Sequence, residues 1–323
     1  MSGLPRPGRR RLLLLAALAL LAMAAPDPGL PVRRPVYDVV VVIDITQSMN
    51  VTDYSLAGQP VSRLDYAKAA LRLALLDLPC GSTVGWGVFA EYRTLLLAAP
   101  AEVCANYGDM IGLLERIDNR MAWTNASQVG KGLISALKAV QGLPGGPGLV
   151  FISDGHEAPP LRPPYRPRFD GRPGAVAGAL VGAGGSEPRP IPMSDPEGRP
   201  LGFWGERDVE QLDGRGGRAG EHLSWLHEDN LIALAGEIGF DYRPLRTPAD
   251  LRQVLTAPNL AREKPARLPL AAPLALLALL AIVAVFVEPA RLRLWLARRT
   301  RSTATGRDLP GRRGTAGPGR GAV

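Results

Sequence analysis

The sequence lacks the motifs on which most well-known active sites depend. Only three histidines and two cysteines occur among its 323 residues. We find no G-x-S-x-G, no P-loop, no G-x-G-x-x-G after a strand and no H-E-x-x-H. Internal repeats are also absent. The sequence therefore indicates no catalytic centre, and we expect the protein not to be an enzyme.

Basic residues are not in excess in the middle of the chain, although the formal charge of the whole chain is +8. Residues 1–25 carry +4 and residues 288–323 carry +7, which leaves −3 for residues 26–287. Both basic segments lie beside apolar runs, an arrangement typical of membrane orientation and not of a nucleic-acid surface. We therefore expect no nucleic-acid partner.

Two apolar runs predict a membrane protein. Residues 1–25 have the Arg-rich start, the Leu/Ala run and the A-x-A pattern of a secretory signal. We expect cleavage there, with an uncleaved N-terminal anchor as the alternative. Residues 268–287 contain no charge and have the length of a transmembrane helix. The positive-inside rule places the basic tail, residues 288–323, in the cytoplasm, and its Gly/Arg-rich part is predicted to be disordered.

This orientation predicts that residues 26–267 lie on the outer side of the membrane. In a bacterium, that is the periplasmic side of the inner membrane. Residues 83–89 and 94–98 predict a hairpin, which would bring Cys80 and Cys104 opposite each other at its base. Because the periplasm is oxidising, we predict a disulfide, with two free buried thiols as the alternative.

Alternating strands and helices predict an α/β domain over residues 36–256. The β-branched run at residues 36–43 and the apolar run at residues 149–153 predict strands buried on both faces. Amphipathic or helix-favouring segments predict helices over residues 63–78, 106–117, 126–140, 221–238 and 248–255. The alternation is typical of a doubly wound, mostly parallel sheet with helices on both faces. Residues 157–173 are dominated by Pro and Arg and predict an irregular surface segment. Residues 186–220 are rich in Pro and Gly and predict at most short strands, around Ile191 and around residues 201–204.

Oxygen-bearing side chains follow the first predicted strand. Asp44, Thr46 and Ser48 are spaced two residues apart, so in an extended or loop segment all three can face the same way. Such hard oxygen donors suit Mg²⁺ or Ca²⁺. Taken alone, however, an Asp and two hydroxyls after a strand are more typical of a turn and a helix cap.

Two further segments are expected to bring oxygens to the same edge of the sheet. Thr124 is predicted to begin the helix after Trp123, and Asp154 follows the strand at residues 149–153. The carboxyl ends of parallel strands meet at one edge, so these segments would converge with the first loop. Two carboxylates and three hydroxyls match Mg²⁺ or Ca²⁺ better than zinc or copper. With only two charged ligands, the ion would keep an open position for an acidic side chain of another molecule.

The pattern resembles the von Willebrand factor type A domain and its metal-ion-dependent adhesion site. It is present here as DITQS, AWTNAS and VFISDG, in the order of that family. The resemblance implies direct coordination by Thr46 and Ser48, and by Thr124 when a ligand is bound. It implies largely water-mediated contact by Asp44 and Asp154. Thr46 replaces the usual serine of the family and retains the hydroxyl.

A narrower resemblance concerns the type A proteins encoded beside bacterial methanol dehydrogenases, which are membrane-anchored. The segments DITQSMN, SRLDYAKAALR and FISDGHEAPP carry it, and aerotolerance-type proteins partly share them. The resemblance implies a role in maturing a quinoprotein that carries calcium and pyrroloquinoline quinone. It also implies work alongside a cytoplasmic MoxR-type AAA+ ATPase.

Three functions are consistent with these patterns. The leading hypothesis is an assembly or calcium-insertion factor for a quinoprotein dehydrogenase, and the second is a general stress, aerotolerance or adhesion module. The third is a metal-dependent hydrolase, which would need a base near the ion, and only His156 is close in sequence. We expect His156 to be an exposed loop residue, with ligand contact as the alternative, and His222 and His227 to lie on the surface.

Overall fold

The computed structural model describes residues 8–161, 167–211 and 220–286. They fall into two compact units, a large one over residues 33–266 and a small one that contains the described residues before Arg33 and after Ala266. The predicted cytoplasmic tail, residues 288–323, lies outside the described residues. So do residues 1–7 of the predicted signal.

Seven helices and thirteen strands are found in the described residues. The helices are α1 (Arg9–Ala24), α2 (Arg63–Leu76), α3 (Val103–Arg116), α4 (Val129–Gln141), α5 (Glu228–Ile238), α6 (Pro248–Leu255) and α7 (Ala271–Phe286). The strands are β1 (Gly29–Asp44), β2 (Tyr54–Leu56), β3 (Gln59–Val61), β4 (Thr83–Ala90), β5 (Arg93–Glu102), β6 (Gly148–Ser153), β7 (Gly178–Gly182), β8 (Arg189–Pro190), β9 (Pro192–Ser194), β10 (Pro200–Phe203), β11 (Leu223–Ser224), β12 (Asp241–Pro244) and β13 (Ala261–Pro269).

The main sheet has the order β12-β7-β6-β1-β4-β5, and β13 pairs with β1. Strand β1 runs parallel to β4 and β6, β7 runs parallel to β6 and β12, and β5 is antiparallel to β4. The carboxyl ends of the parallel strands therefore share one edge, as predicted. That edge receives the residues that follow β1 and β6.

Side chains of β1 alternate between two apolar layers. Val39, Val41 and Ile43 pack with helices α2, α3 and α6, whereas Val40 and Val42 pack with helices α4 and α5. Side chains alternate along a strand, so an unbroken β-branched run is suited to burial on both faces. The predicted α/β sheet with helices on both faces is confirmed.

The predicted hairpin is formed by β4 and β5, which are joined at Glu91 and Tyr92. Cys80 and Cys104 lie at its open end and form a disulfide with a Cα–Cα distance of 5.3 Å. The predicted disulfide is therefore present.

Several predicted boundaries are wrong. Strand β1 begins at Gly29, well before the strand predicted from residue 36. Helix α4 begins at Val129 and not near Thr124. The reason is that residues 126–128 are extended and hydrogen-bonded to Glu91 on one side and to Ala158 on the other. Ser127 exchanges backbone hydrogen bonds with Ala158, while Glu91 bonds to both Ala126 and Gln128. Helix α5 begins at Glu228 and not at residue 221, because Leu223–Ser224 pairs with β8.

Helices α1 and α7 belong to the small unit and contact each other. Helix α7 begins at Ala271 instead of residue 268 because β13 continues to Pro269, and Val287 lies outside the described residues. Among the described residues, no helix combines the length and apolar character needed to cross a membrane. The transmembrane helix predicted over residues 268–287 is therefore not found in this part of the chain.

Candidate metal centre

Asp44 ends β1 and is fully buried at the edge of the sheet. Its Oδ1 accepts hydrogen bonds from the backbone N–H of Thr46 at 2.9 Å and from the Thr46 hydroxyl at 2.7 Å. Its Oδ2 accepts one from the Ser153 hydroxyl at 2.7 Å. The register pairs Ile43 with Ile152, so the next residues of β1 and β6, Asp44 and Ser153, are neighbours. The sheet itself fixes this carboxylate.

Thr46 and Ser48 follow in the tight turn after β1, and both are buried. Their hydroxyl oxygens are 3.3 Å apart. Because Thr46 gives its hydroxyl hydrogen to Asp44, the lone pairs of its oxygen are free to face a cation. The two hydroxyls are therefore placed as a pair of neutral oxygen donors.

Asp154 follows β6 and is also fully buried. Its Oδ1 accepts a hydrogen bond from the His156 N–H at 3.0 Å. Its Oδ2 accepts from the Arg63 guanidinium at 2.6 Å and from the Ser224 hydroxyl at 2.9 Å. Gly155 makes the turn with a φ of +75°, and a Cβ there would lie 2.9 Å from Leu231 Cγ. Only glycine suits this position.

Arg63 is a charged residue of the site that our sequence interpretation missed. Its side chain is completely buried and forms ion pairs with Asp154 at 2.6 Å and Asp53 at 2.8 Å. A positive charge in the first turn of a helix opposes the helix dipole. The position of Arg63 at the start of the predicted helix was therefore a usable signal for an acidic partner elsewhere in the chain.

Thr124 lies in the loop before α4 and is partly buried. Its hydroxyl accepts a hydrogen bond from the Ala126 N–H at 3.2 Å. Among the described residues, no hydrogen bond joins Thr124 to the other four predicted ligands. The adjacent Asn125 does bond to the turn after β1, because its Oδ1 accepts a 2.8 Å hydrogen bond from Gln47, which lies between Thr46 and Ser48 in sequence.

A cavity of about 260 Å³ opens above the two hydroxyls. Thr46, Ser48, Asn125 and His156 contribute polar lining. The apolar part of its wall is made by Ala126, Ala158, Pro159, Pro160, Ile191, Trp204 and Val209. Of the five predicted ligands, Thr46 and Ser48 therefore line a pocket.

His156 contradicts our expectation of an exposed loop residue, whereas His222 and His227 are partly exposed. His156 is 3% exposed, and its ring lies 5.1 Å from that of His227, which stacks on Trp225. The Nδ1 atoms of His156 and His222 and the Nε2 atom of His227 are buried without a hydrogen-bond partner in the described part of the chain. Burial lowers the pKa of His156, so its ring is neutral at neutral pH.

The two carboxylates of the site differ in their electrostatic surroundings. Burial alone would raise the pKa of Asp154, but the charge of Arg63 holds that pKa below its usual value. Burial, and secondly the negative charge of Asp154, raise the pKa of Asp44 to about 7. Asp44 has no cationic partner among the described residues. A divalent cation beside Thr46 and Ser48 would supply the missing positive charge, so the residues fit such an ion.

The match to a known family agrees with this geometry. Residues 39–156 match the von Willebrand factor type A domain. The matched stretch of the type A domain includes Asp44, Thr46, Ser48, Thr124 and Asp154, as well as Arg63. It ends before β7, so the segments that bring Trp204 and Ile191 to the pocket lie outside it.

Curated relatives match part of the chain. "UPF0353 protein" from three Mycobacterium strains, KMS, JLS and MCS, is 33% identical over 165 residues. The match covers 49% of this chain and 43% of each relative, so the chain spans less than half the length of these proteins.

Two solved structures share low sequence identity with this chain. An aerotolerance-related membrane protein from Bacteroides fragilis is 18% identical, with a TM-score of 0.49 over 69% of this chain and 98% of that one. An uncharacterized membrane spanning protein from Vibrio fischeri is 19% identical, with a TM-score of 0.28 over 67% and 93%. Likeness at this level says nothing about function.

Proposed function

We propose that this protein binds Mg²⁺ or Ca²⁺ at the carboxyl edge of its sheet and uses the ion to hold an acidic residue of a protein partner. The observation that carries the proposal is the isolation of Asp44. This carboxylate is fully buried and faces a second carboxylate, whose charge is already balanced by Arg63. A buried charge without a partner costs free energy, which a bound cation would offset.

Thr46 and Ser48 would hold the ion directly, and Thr124 would join when a ligand is bound. Asp44 and Asp154 would contact it through water, which agrees with the hydrogen bonds that already occupy their oxygens. The bound ion would supply positive charge to an incoming carboxylate. The neutral hydroxyls leave most of that charge uncompensated, which favours an acidic ligand.

The proposed role is recognition and not catalysis. His156 is the one histidine that lines the pocket in the described part of the chain, and its backbone and ring are held beside Asp154 and His227. If the protein were a metal-dependent hydrolase, replacing His156 by Ala should abolish turnover. A binding module should retain its ion affinity after that change.

We also propose a cellular role for this protein, in the maturation of a quinoprotein dehydrogenase. The resemblance of FISDGHEAPP and DITQSMN to proteins of methanol dehydrogenase clusters supports a membrane-anchored, periplasmic factor for quinoprotein maturation. A deletion strain should then contain folded dehydrogenase that lacks calcium. A full calcium content would instead favour the general aerotolerance or adhesion role.

A capture experiment tests the proposed function. The full chain is cross-linked in membranes with Mg²⁺ or with EDTA, beside the Asp44→Ala variant, and the attached proteins are identified by mass spectrometry. We expect a partner that is retained with Mg²⁺ and lost in both other conditions. A partner that is captured equally in all three would contradict ion-dependent binding.

A further inference from the structure

The connection between β7 and α5 covers one side of the pocket above Thr46 and Ser48. It is described over residues 183–211 and 220–227, outside the stretch that matches the type A domain. It contributes six residues to the pocket wall: Ile191, Trp204, Asp208, Val209, Glu210 and Glu221. Half of these six residues are acidic.

Hydrogen bonds fasten both ends of this connection to the candidate metal centre. At its start, the Gly185 N–H donates to Asp53 at 2.9 Å. At its end, Ser224 donates to Asp154 at 2.9 Å, and the His227 N–H donates to the Asp154 carbonyl at 2.8 Å. The two ends of the connection are therefore held beside Asp53 and Asp154, and its acidic residues line the same cavity as Thr46 and Ser48.

A further contact joins the middle of the connection to the turn that carries the hydroxyls. The Trp204 indole N–H donates to the Gln47 side-chain oxygen at 2.6 Å. Gln47 lies between Thr46 and Ser48 in sequence. Because these described residues of the connection are held beside the site, a side chain on them can approach an ion with little further loss of conformational entropy.

Glu221 differs from the other two acidic residues of the pocket. Asp208 is exposed and accepts a 2.8 Å bond from the Gly205 N–H, and Glu210 is exposed. The Glu221 carboxylate is half-buried, yet within the described residues it has neither a hydrogen-bond donor nor a cationic partner. Its backbone is held by a 3.0 Å bond from its N–H to Gln211. A half-buried carboxylate without such a partner would be stabilised by a nearby cation.

His156 gives an independent indication that the pocket takes a ligand. It is 3% exposed, lines the same cavity, and its Nδ1 has no hydrogen-bond partner in the described part of the chain. Buried polar atoms are normally paired, so an unpaired nitrogen at a pocket indicates a ligand that would pair with it. In the tautomer with a proton on Nδ1, it would donate to a carboxylate in the cavity.

We infer that Glu221 is an intramolecular ligand of the divalent ion. This inference rests on the proposed function, since it requires an ion at Thr46 and Ser48. Glu221 would then fill the position that an acidic residue of the partner is proposed to take. A partner must displace it, so the connection makes the resting site autoinhibited and restricts binding to partners that compete with a tethered carboxylate.

Manganese binding to the full chain, purified in detergent, tests the inference. We compare the wild type with Glu221→Gln, which keeps the shape of the side chain, and with Glu206→Gln, an exposed acid of the same connection that does not line the cavity. Removing a charged ligand should weaken Mn²⁺ binding about tenfold in calorimetric titration. Glu206→Gln should bind like the wild type.

Water proton relaxation distinguishes a ligand of the ion from a residue that only supports the fold, because it reports on the waters bound to Mn²⁺. In Glu221→Gln a water replaces the carboxylate on Mn²⁺, so the relaxation enhancement per bound ion should rise. Melting curves without metal establish that each variant is folded. Should Glu221→Gln be unfolded, Glu221→Asp, which keeps the charge on a shorter side chain, serves in its place and should weaken Mn²⁺ binding while remaining folded.

The outcomes separate the inference from the function on which it rests. If Asp44→Ala loses Mn²⁺ but Glu221→Gln keeps wild-type affinity and relaxation, Glu221 is not a ligand and the proposed function stands. If the wild type itself does not bind Mn²⁺, both the inference about Glu221 and the proposed function are wrong.

Discussion

Arg63 connects three separate segments of the candidate site. Its guanidinium bonds to Asp154 on β6, to Asp53 after the first loop, and to Ser224 near the end of the β7–α5 connection. Breaking a buried ion pair by removing one partner leaves a charge without compensation. Removing the Arg63 guanidinium would leave both Asp53 and Asp154 without their cationic partner.

We therefore predict that Arg63→Ala strongly destabilises the fold. The expected loss is about 3–5 kcal/mol in the free energy of unfolding, measured by urea denaturation of the full chain. Arg72→Ala is the matched control, because Arg72 is on the same helix and pairs with Glu115 on the surface. An exposed pair contributes less than about 1 kcal/mol. Equal effects of the two substitutions would contradict a structural role for the buried pair.

Asp44 predicts how stability depends on pH when no metal is present. Its pKa rises from 3.8 to about 7 on folding, so the folded state binds this proton more tightly than the unfolded chain does. The ion-free protein should therefore lose stability as the pH rises between those two values. Melting in EDTA at about pH 5 and about pH 8 measures the loss, which should be smaller in Asp44→Asn. If the wild type and Asp44→Asn lose the same amount of stability, titratable groups other than Asp44 cause the loss.

At the scale of elements, the sequence patterns predicted those parts of the fold that local chemistry decides. The β-branched runs at β1 and β6, the apolar spacing of α2 and the hairpin before Cys104 are all present. The start of α4 and the long β1 were missed because pairing with distant residues decides them. Thr124 lies outside α4 since Ser127 pairs with Ala158. No local pattern contains that information.

The same distinction applies to the candidate site. The sequence predicted which loops meet at the edge, because parallel strands bring their carboxyl ends together. It did not predict the burial of His156, the ion pairs of Arg63 or the position of Glu221 at the pocket. Their surroundings depend on the β7–α5 connection, in which the sequence predicted only short strands within a Pro- and Gly-rich segment.

The disulfide at the base of the β4–β5 hairpin gives a prediction at this scale. It closes a loop between residues separated by 24 positions. In the chain-entropy account, reduction should lower the free energy of unfolding by about 3 kcal/mol. Urea denaturation with and without a reductant measures the change, and thiol titration of the unfolded protein checks the redox state. Free thiols before reduction would contradict the pairing of Cys80 with Cys104.

At the scale of the whole molecule, the large unit contains every residue that we assign to the metal centre and to the pocket. Its mostly parallel sheet and the match over residues 39–156 fix the type of fold. The connection after β7 adds acidic side chains above that site. The large unit therefore combines oxygen donors at the sheet edge with acidic side chains from a connection outside the matched stretch.

Calorimetric titration of Mg²⁺ and Ca²⁺ into the metal-free full chain tests the central claim most directly. The wild type should bind one ion, and Asp44→Ala should lose that binding while its melting curve shows an intact fold. Failure of the wild type to bind either ion, or unchanged binding by folded Asp44→Ala, would contradict the account.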